Sequence, residues 1–276
     1  MCPERSWRYA LTSIRIGKLH GTHHSDELSG GRTGDAPDSG WVLTVRQLFP
    51  VPLDPVDPVA VYGDVPVAEG RPSVRLNMIS SVDGATSVAG LSGGLGGGAD
   101  RRLFSVLRAA ADTVLVAAGT VRAENYGAGT LPIAVVSRSC SLDWRSSFFT
   151  AATFRPVVLT VSDAPATNRA QAEEVADVVL AGATDVDLRM ALGALAERGV
   201  RSVLAEGGPS LNSQLAAASL LDELCLTLSP VLVGGDAKRI LSGVGPAGPG
   251  LLQLCSVCEE DGFVFLRFRP AAAEPR

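Results

Sequence analysis

The sequence of 276 residues is poor in charge and contains no long apolar run. Charged residues make up 19% of the chain and the net charge is -5, so a concentrated basic surface for nucleic acid is not predicted. No apolar run approaches the roughly 18 residues of a membrane span, and the first residues lack the apolar block of a signal peptide. We therefore predict a cytoplasmic protein whose partners include neither a membrane nor a nucleic acid.

Cysteine and histidine are too few and too scattered for a usual metal centre or disulfide framework. The five cysteines are an odd number spread along the chain, which favours reduced thiols. The pair in "CSVC" (255–258) has no second pair that would complete a zinc site. The three histidines, His20, His23 and His24, lie in a polar segment with nothing to bury. No metal site is predicted.

Changes in composition divide the chain into three segments. Residues 1–40 are rich in Gly, Ser, Asp and His and are predicted to form a disordered tail. Residues 41–70 contain a short apolar stretch and several prolines, which predict an extended arm on the surface. Residues 71–270 carry a regular apolar pattern and form the predicted main domain.

Strand-like and helix-like stretches alternate through this main domain. Strands are predicted in "SVRLNMI", "DTVLVAAG", "PIAVVSR", "PVVLTVS", "DVVLA" and "RSVLAEGG", and at 222–229 and 262–268. Helices are predicted at 101–111, with Asp100 as N-cap, at 168–176, at 185–198 and from Pro209 onward. The alternation is typical of an α/β fold with a mostly parallel central sheet and helices on both faces.

Three strands end in small polar turns, "SSVDG" (80–84), "AAGTVRAENYG" (117–127) and "LAEGGPSLN" (204–212). The carboxyl ends of parallel strands meet at one edge of a sheet, where α/β proteins bind ligands. In the third turn, Gly207 and Gly208 allow close approach to the backbone, and the helix after them offers N–H groups to an anion. The turn fits either a phosphate cradle or an ordinary Gly-Gly turn, since it matches neither common phosphate-loop motif.

In this order, "RPSVRLNMISSVDGATS", "LRAAADTVLVAAGTVRAENYG" and "VLAEGGPSLNSQLAAASLLDELCLTLSPVLVGG" resemble the pyrimidine reductases of riboflavin biosynthesis. The resemblance covers about residues 71–268. It implies a dihydrofolate reductase-like three-layer fold, NADPH as cofactor and a homodimer. The substrate it implies is 5-amino-6-(5-phosphoribosylamino)uracil or its 2,5-diamino precursor, with reduction of the ribosyl group to ribityl.

The resemblance also assigns roles to single positions. Those it implies for the cofactor are Ser80, Gly119, Thr120, Glu124, Ser137, Gly207, Gly208, Pro209, Ser210, Leu211 and Asn212. Those it implies for the substrate are Ser92, Arg108 and Glu206, with Asp83 and Glu206 as the catalytic pair. Because Arg138 directly follows Ser137 at a strand end, we predict that Arg138 binds the 2′-phosphate of NADPH.

The chain departs from the family at two points that bear on function. The loop "GLSGGLGGGAD" (90–100) has glycines where relatives often carry a tryptophan, and the H-x-E and P-C-x-x-C signature of the zinc deaminases is absent from the sequence. The chain is therefore predicted to reduce without deaminating.

Two alternative functions stay open: reduction of dihydrofolate or another pterin, and non-catalytic binding of NADPH or a flavin. In the pterin alternative, Asp100 binds the substrate as the acid for a ring nitrogen. Arg101 and Arg102 are available for a substrate phosphate, which favours the pyrimidine reading. The segment 220–235, together with 263–268, is predicted to supply the dimer surface.

Overall fold

The computed structural model describes residues 45–124, 126–127 and 131–271, so the predicted tail lies outside the described residues. The strands are β1 (Val45–Phe49), β2 (Leu53–Val56), β3 (Ser73–Ser81), β4 (Thr113–Ala117), β5 (Ile133–Val136), β6 (Val157–Thr160), β7 (Asp177–Leu180), β8 (Ser202–Ala205), β9 (Glu223–Ser229), β10 (Leu252–Glu260) and β11 (Phe263–Pro270). The helices are α1 (Pro58–Tyr62), α2 (Gly98–Ala109), α3 (Ala118–Ala123), α4 (Ser147–Thr150), α5 (Ala166–Val175), α6 (Leu188–Glu197) and α7 (Pro209–Ala217). Among these helices, none has the length and hydropathy that crossing a bilayer would require.

All eleven strands form one sheet in the order β2-β1-β10-β11-β9-β3-β8-β4-β5-β6-β7. From β9 to β7 every neighbouring pair is parallel, and the pairs on the other side of β9 are antiparallel. The prediction of a mostly parallel sheet is therefore confirmed. Because β3 and β4 both flank β8, the turns that follow these three strands meet at one edge.

The parallel strands read as continuous apolar runs because helices cover both faces of this part of the sheet. In β4, Val114 and Val116 belong to a buried cluster with α3, α4 and α5. Leu115, between them, belongs to the cluster on the opposite face with α6 and α7. Full burial of one such side chain contributes about 1.5–3 kcal/mol. The predicted helices on both faces are thus observed.

Helix α2 begins at Gly98, and Gly97 is its N-cap, so the prediction of Asp100 as N-cap is wrong. A Cβ atom on Gly97 would lie 2.6 Å from the ring of Phe263, which shows how closely β11 packs on this segment. Asp100 lies in the first helical turn instead, where the helix dipole favours a negative charge.

The predicted extended arm is corrected over residues 45–62, which form β1, β2 and α1. Strand β1 pairs with β10, a strand that the sequence pattern did not reveal and that contains the "CSVC" pair. Pro58 opens α1, where its missing N–H costs nothing, and Tyr62 at the end of this helix is fully buried. Prolines in this segment therefore occur within an edge strand and at the first position of a helix, where they do not disrupt regular structure.

Candidate active site

A cleft of about 700 Å³ lies at the carboxyl edge of the parallel strands. Its walls come from β3, α2, the glycine-rich loop before α2, and the turns after β4 and β8. This volume lies in the range of ligand-binding pockets. The predicted site residues that line the cleft are Ser92, Asp100, Arg108, Gly119, Thr120, Glu124, Glu206, Gly208, Pro209 and Ser210.

Glu206 is an acid of the cleft that directly follows β8. Arg108 of α2 donates from Nε to Oε1 over 2.8 Å and from Nη2 to Oε2 over 2.7 Å. The guanidinium lies 4.3 Å from the centre of the Phe104 ring, which fixes its plane. The bidentate pair holds the Glu206 carboxylate in one orientation, with 5% of its side chain exposed.

Tyr126, which the sequence analysis did not single out, completes this group. Its hydroxyl donates a hydrogen bond to Oε2 of Glu206. Burial and the negative charge of Glu206 raise the pKa of Tyr126 well above its ordinary value, so the hydroxyl stays protonated as a donor. Tyr126 stands in a turn without periodic pattern, so only its position in space reveals the role.

Asp100 is a second carboxyl in the cleft, in a different environment. A Cβ atom on Gly96 would lie 3.2 Å from its Oδ2, so the glycine leaves room beside the carboxyl group. Burial raises the pKa of Asp100, and the hydrogen bond from Thr227 and the charge of Arg101 oppose that rise only in part. Two acids in one cleft, one ion-paired and one desolvated, suit different roles in a proton-dependent reaction.

The Gly207-Gly208 turn brings the start of α7 to the cleft. Gly207 has φ +91°, which favours glycine, and its carbonyl accepts from the N–H of Ala117 over 2.7 Å. A Cβ atom on Gly208 would lie 2.8 Å from Oγ1 of Thr120, so any side chain here intrudes on the opposite wall. Pro209 has no N–H, so the N–H groups at the helix start belong to Ser210 and Leu211. This donor set fits the phosphate groups of a nicotinamide dinucleotide.

Glu124, at the end of α3, links the turn after β4 to the glycine-rich loop. Its Oε1 accepts a hydrogen bond from the N–H of Ser92 over 2.9 Å. Both residues line the cleft. The structure therefore brings together a residue predicted for the cofactor and one predicted for the substrate.

Other predicted residues are absent from the cleft lining: Ser80, Asp83, Ser137, Arg138, Gly207, Leu211 and Asn212. Ser80, Ser137, Leu211 and Asn212 are buried, and Asn212 donates to the carbonyl of Ile240 over 2.9 Å. Arg138 is largely exposed and pairs with Asp185 at 3.2 Å. The lining also includes residues that the sequence analysis did not assign, among them Asn77, Thr86, Phe104 and Lys238.

Asp83 is absent from the cleft lining, and its carboxylate is engaged in hydrogen bonds. Its carboxylate accepts from the hydroxyl of Ser81 over 2.5 Å and from the N–H groups of Gly234 and Val233 over 2.6 and 3.2 Å. These hydrogen bonds lower the pKa of Asp83 to about 2. The carboxylate of Asp83 therefore holds the loop that follows β9, and its catalytic assignment stays a prediction.

Comparison with known proteins supports a single family. A curated 2,5-diamino-6-ribosylamino-4(3H)-pyrimidinone 5′-phosphate reductase from Methanothermobacter thermautotrophicus is 32% identical over 63% of this chain and 86% of its own length. A reductase of the same name from Archaeoglobus fulgidus is 28% identical over 63% of this chain and 87% of its own length.

A solved structure and a family profile agree with these relatives. The structure of a pyrimidine reductase-like protein from Corynebacterium diphtheriae superposes with a TM-score of 0.68 at 26% identity, covering 78% of this chain and 98% of that one. The profile of the RibD C-terminal domain matches residues 72–261, which include the residues that line the cleft and strands β3 to β10. The chain therefore belongs to the RibD C-terminal domain family.

Proposed function

We propose that this chain is an NADPH-dependent reductase that converts the ribosyl group of a ribosylamino-pyrimidine 5′-phosphate to ribityl, in riboflavin biosynthesis. The names of the curated relatives favour the 2,5-diamino compound as substrate. The observation that carries the proposal is the cleft in which Glu206 and Asp100 line the same space as the Gly208 turn. A cytoplasmic location, predicted from composition, is part of the proposal.

In this proposal the Gly208 turn binds the pyrophosphate of NADPH through the N–H groups of Ser210 and Leu211. Arg138 follows β5, the neighbour of β4, and is assigned to the 2′-phosphate. Its ion pair with Asp185 is exposed on both sides, at 72% and 78%, so it contributes at most about 1 kcal/mol and a phosphate readily replaces it. Bound NADPH supplies the hydride, which is added to C1′ of the ribosyl group.

Asp100 and Glu206 have different roles in the reaction: one donates a proton and the other stabilises positive charge. Reduction of ribosyl to ribityl breaks the bond between C1′ and the ring oxygen, adds hydride to C1′ and adds a proton to that oxygen. Asp100 donates the proton, since its raised pKa keeps it protonated to higher pH than an ordinary carboxyl. Glu206, oriented by Arg108 and Tyr126, stabilises the positive charge that develops at C1′ and its nitrogen.

The proposal is tested by NADPH oxidation with three substrates side by side: the 2,5-diamino pyrimidine, its deaminated 5-amino uracil counterpart and dihydrofolate. Turnover of either pyrimidine, with the ribityl product identified by mass spectrometry, is the expected result. Turnover of dihydrofolate alone would establish the pterin alternative. NADPH binding without oxidation in any of the three assays would favour a non-catalytic protein.

Replacing Asp100 with asparagine is expected to lower kcat by about a hundredfold or more, the usual contribution of a general acid. The wild-type rate should fall as pH rises through the pKa of Asp100, because only the protonated acid donates. In Asp100→Asn this fall should disappear from the pH–rate profile. Asp261→Asn, an exposed carboxyl outside the cleft, is the matched control. An unchanged profile in Asp100→Asn would assign the proton to another group.

We also propose that the chain forms a homodimer through one face of β9, β10 and β11. Burial alternates along β9: Glu223 and every second residue after it are buried, and the residues between them are half-exposed. The half-exposed face carries an apolar patch of Leu224, Leu226, Leu228, Val264, Leu266 and Phe268, which are paired across β9 and β11. A two-fold axis through such a patch places the same surface of two copies in contact.

Leu226→Asp is expected to convert the dimer to a monomer, because two carboxylates would be buried at the two-fold contact. Mass by multi-angle light scattering over a range of concentrations measures this. Met190→Asp places the same charge on the exposed face of α6 and should stay dimeric. A wild-type mass of one chain at every concentration would contradict the dimer.

A further inference from the structure

The loop after β9, residues 230–242, contributes Lys238 to the cleft lining and is held by hydrogen bonds from distant elements. Near its start, Asp83 accepts from the N–H groups of Gly234 and Val233. Near its end, the N–H of Ser242 donates to the carbonyl of Pro209 over 3.1 Å. The loop therefore connects the turn after β3 to the beginning of α7.

Two further anchors hold the backbone around Lys238, the cation of this loop that lines the cleft. The carbonyl of Lys238 accepts from both N–H and Oγ1 of Thr86, over 3.0 and 2.9 Å. Two residues later, the carbonyl of Ile240 accepts from the fully buried Asn212. The main chain is thus fixed on either side, while the side chain lies beside the open cleft. Lys238 and Lys18 are the two lysines of the sequence.

Of the residues that the structure describes, three cationic side chains line the cleft: Arg101, Arg108 and Lys238. Arg108 is already engaged in a bidentate ion pair with Glu206, through Nε and Nη2. Among the described residues, Arg101 and Lys238 form no ion pair. Arg102, which the sequence made equally available, instead pairs with Glu260 away from the cleft lining. Two positive charges are therefore left for an anion in a cleft whose carboxylates already have partners or are desolvated.

We propose that Lys238, with Arg101, forms a subsite for a phosphate monoester at the mouth of the cleft. A phosphate dianion is the ligand that two unpaired cations beside a cleft favour, because charge-assisted hydrogen bonds to it are strong. The inference rests on the proposed function, in which the 5′-phosphate of the ribosylamino-pyrimidine is the ligand group. The 2′-phosphate of NADPH has the same chemistry, so the experiment separates the two sources.

Lys238→Ala is the test variant, Lys238→Arg keeps the charge, and Arg239→Ala removes a neighbouring charge outside the cleft lining. For the phosphorylated substrate we expect Lys238→Ala to raise KM by about ten- to a hundredfold, with kcat changed less than about threefold. KM for the dephosphorylated nucleoside should not change. Lys238→Arg should restore most of the affinity, and Arg239→Ala should resemble the wild type.

Binding measurements make the inference independent of turnover. Ribose 5-phosphate and ribose are titrated into the full chain by calorimetry, and NADPH and NADH by fluorescence. Loss of ribose 5-phosphate binding in Lys238→Ala supports a substrate-phosphate subsite even if no substrate is turned over. A weakened NADPH affinity, with NADH unaffected, would assign the subsite to the 2′-phosphate, where Arg138→Ala serves as the comparison. Unchanged affinity for every phosphorylated ligand in Lys238→Ala overturns the proposal.

Asp83→Asn tests how the loop positions Lys238. The substitution weakens the anchor at Gly234 without touching the cleft, so KM for the phosphorylated substrate should rise several-fold while kcat is retained. A catalytic role of Asp83 would instead lower kcat and leave ribose 5-phosphate binding unchanged. That second result would show that the loop anchor at Gly234 does not position Lys238 for phosphate binding.

Discussion

Replacing Gly208 with aspartate is expected to abolish NADPH binding, with the dissociation constant raised by more than about a hundredfold. Two effects add. The new side chain begins where a Cβ atom lies 2.8 Å from Oγ1 of Thr120, and its carboxylate faces the helix start that receives the pyrophosphate. The protein should stay folded, because the turn lies at the open edge of the sheet and not in a buried cluster.

Two control variants separate these effects. Gly208→Ala introduces the close contact without the charge and should lose part of the affinity. Gly248→Asp adds the same charge at a glycine with no heavy atom within 4 Å of a Cβ, and should bind NADPH normally. Fluorescence titration gives the affinities and circular dichroism the fold. Full NADPH affinity in a folded Gly208→Asp protein would show that the pyrophosphate lies elsewhere.

Replacing Glu206 with glutamine is expected to lower kcat by about a hundred- to a thousandfold, with NADPH affinity retained. The amide nitrogen of glutamine would face the guanidinium of Arg108 as a second donor, so one of the two hydrogen bonds is lost. The negative charge that stabilises the developing cation on the substrate is lost as well. Each tenfold in rate corresponds to about 1.4 kcal/mol of transition-state stabilisation, so the expected loss is about 3–4 kcal/mol.

Steady-state rates and NADPH titration on the same preparations separate this effect from a loss of fold. Glu260→Gln breaks an Arg-Glu pair outside the cleft lining and should leave kcat near the wild-type value. Tyr126→Phe removes one hydrogen-bond donor to Glu206 but leaves the negative charge of Glu206 in place. A smaller fall in kcat, of about tenfold, is therefore expected. A kcat in Glu206→Gln within threefold of the wild type would be incompatible with the role given to this residue.

The sequence by itself determined the α/β class, most strands and helices, and the turns that border the cleft. These features depend on residues that are neighbours in the sequence. A buried parallel strand requires a continuous apolar run, and the helix start at 209 directly follows the Gly-Gly pair. Glu206 and Arg108 were also predicted, but only through the resemblance to a family. The two residues of this bidentate ion pair lie 98 positions apart, and the sequence around either residue does not indicate its partner.

Only the tertiary structure decided which distant residues are hydrogen-bond and ion-pair partners. Asp83 looked catalytic in "SVDG", yet its carboxylate holds Gly234, 151 residues later. Lys238 and Tyr126 carried no local pattern, and they line the cleft because the loop after β9 and the turn after β4 both reach it. Residues 45–62 became regular structure because β10 provides a strand to pair with. The physical reason is the same in each case: hydrogen bonds and burial act across space, whereas periodicity acts along the chain.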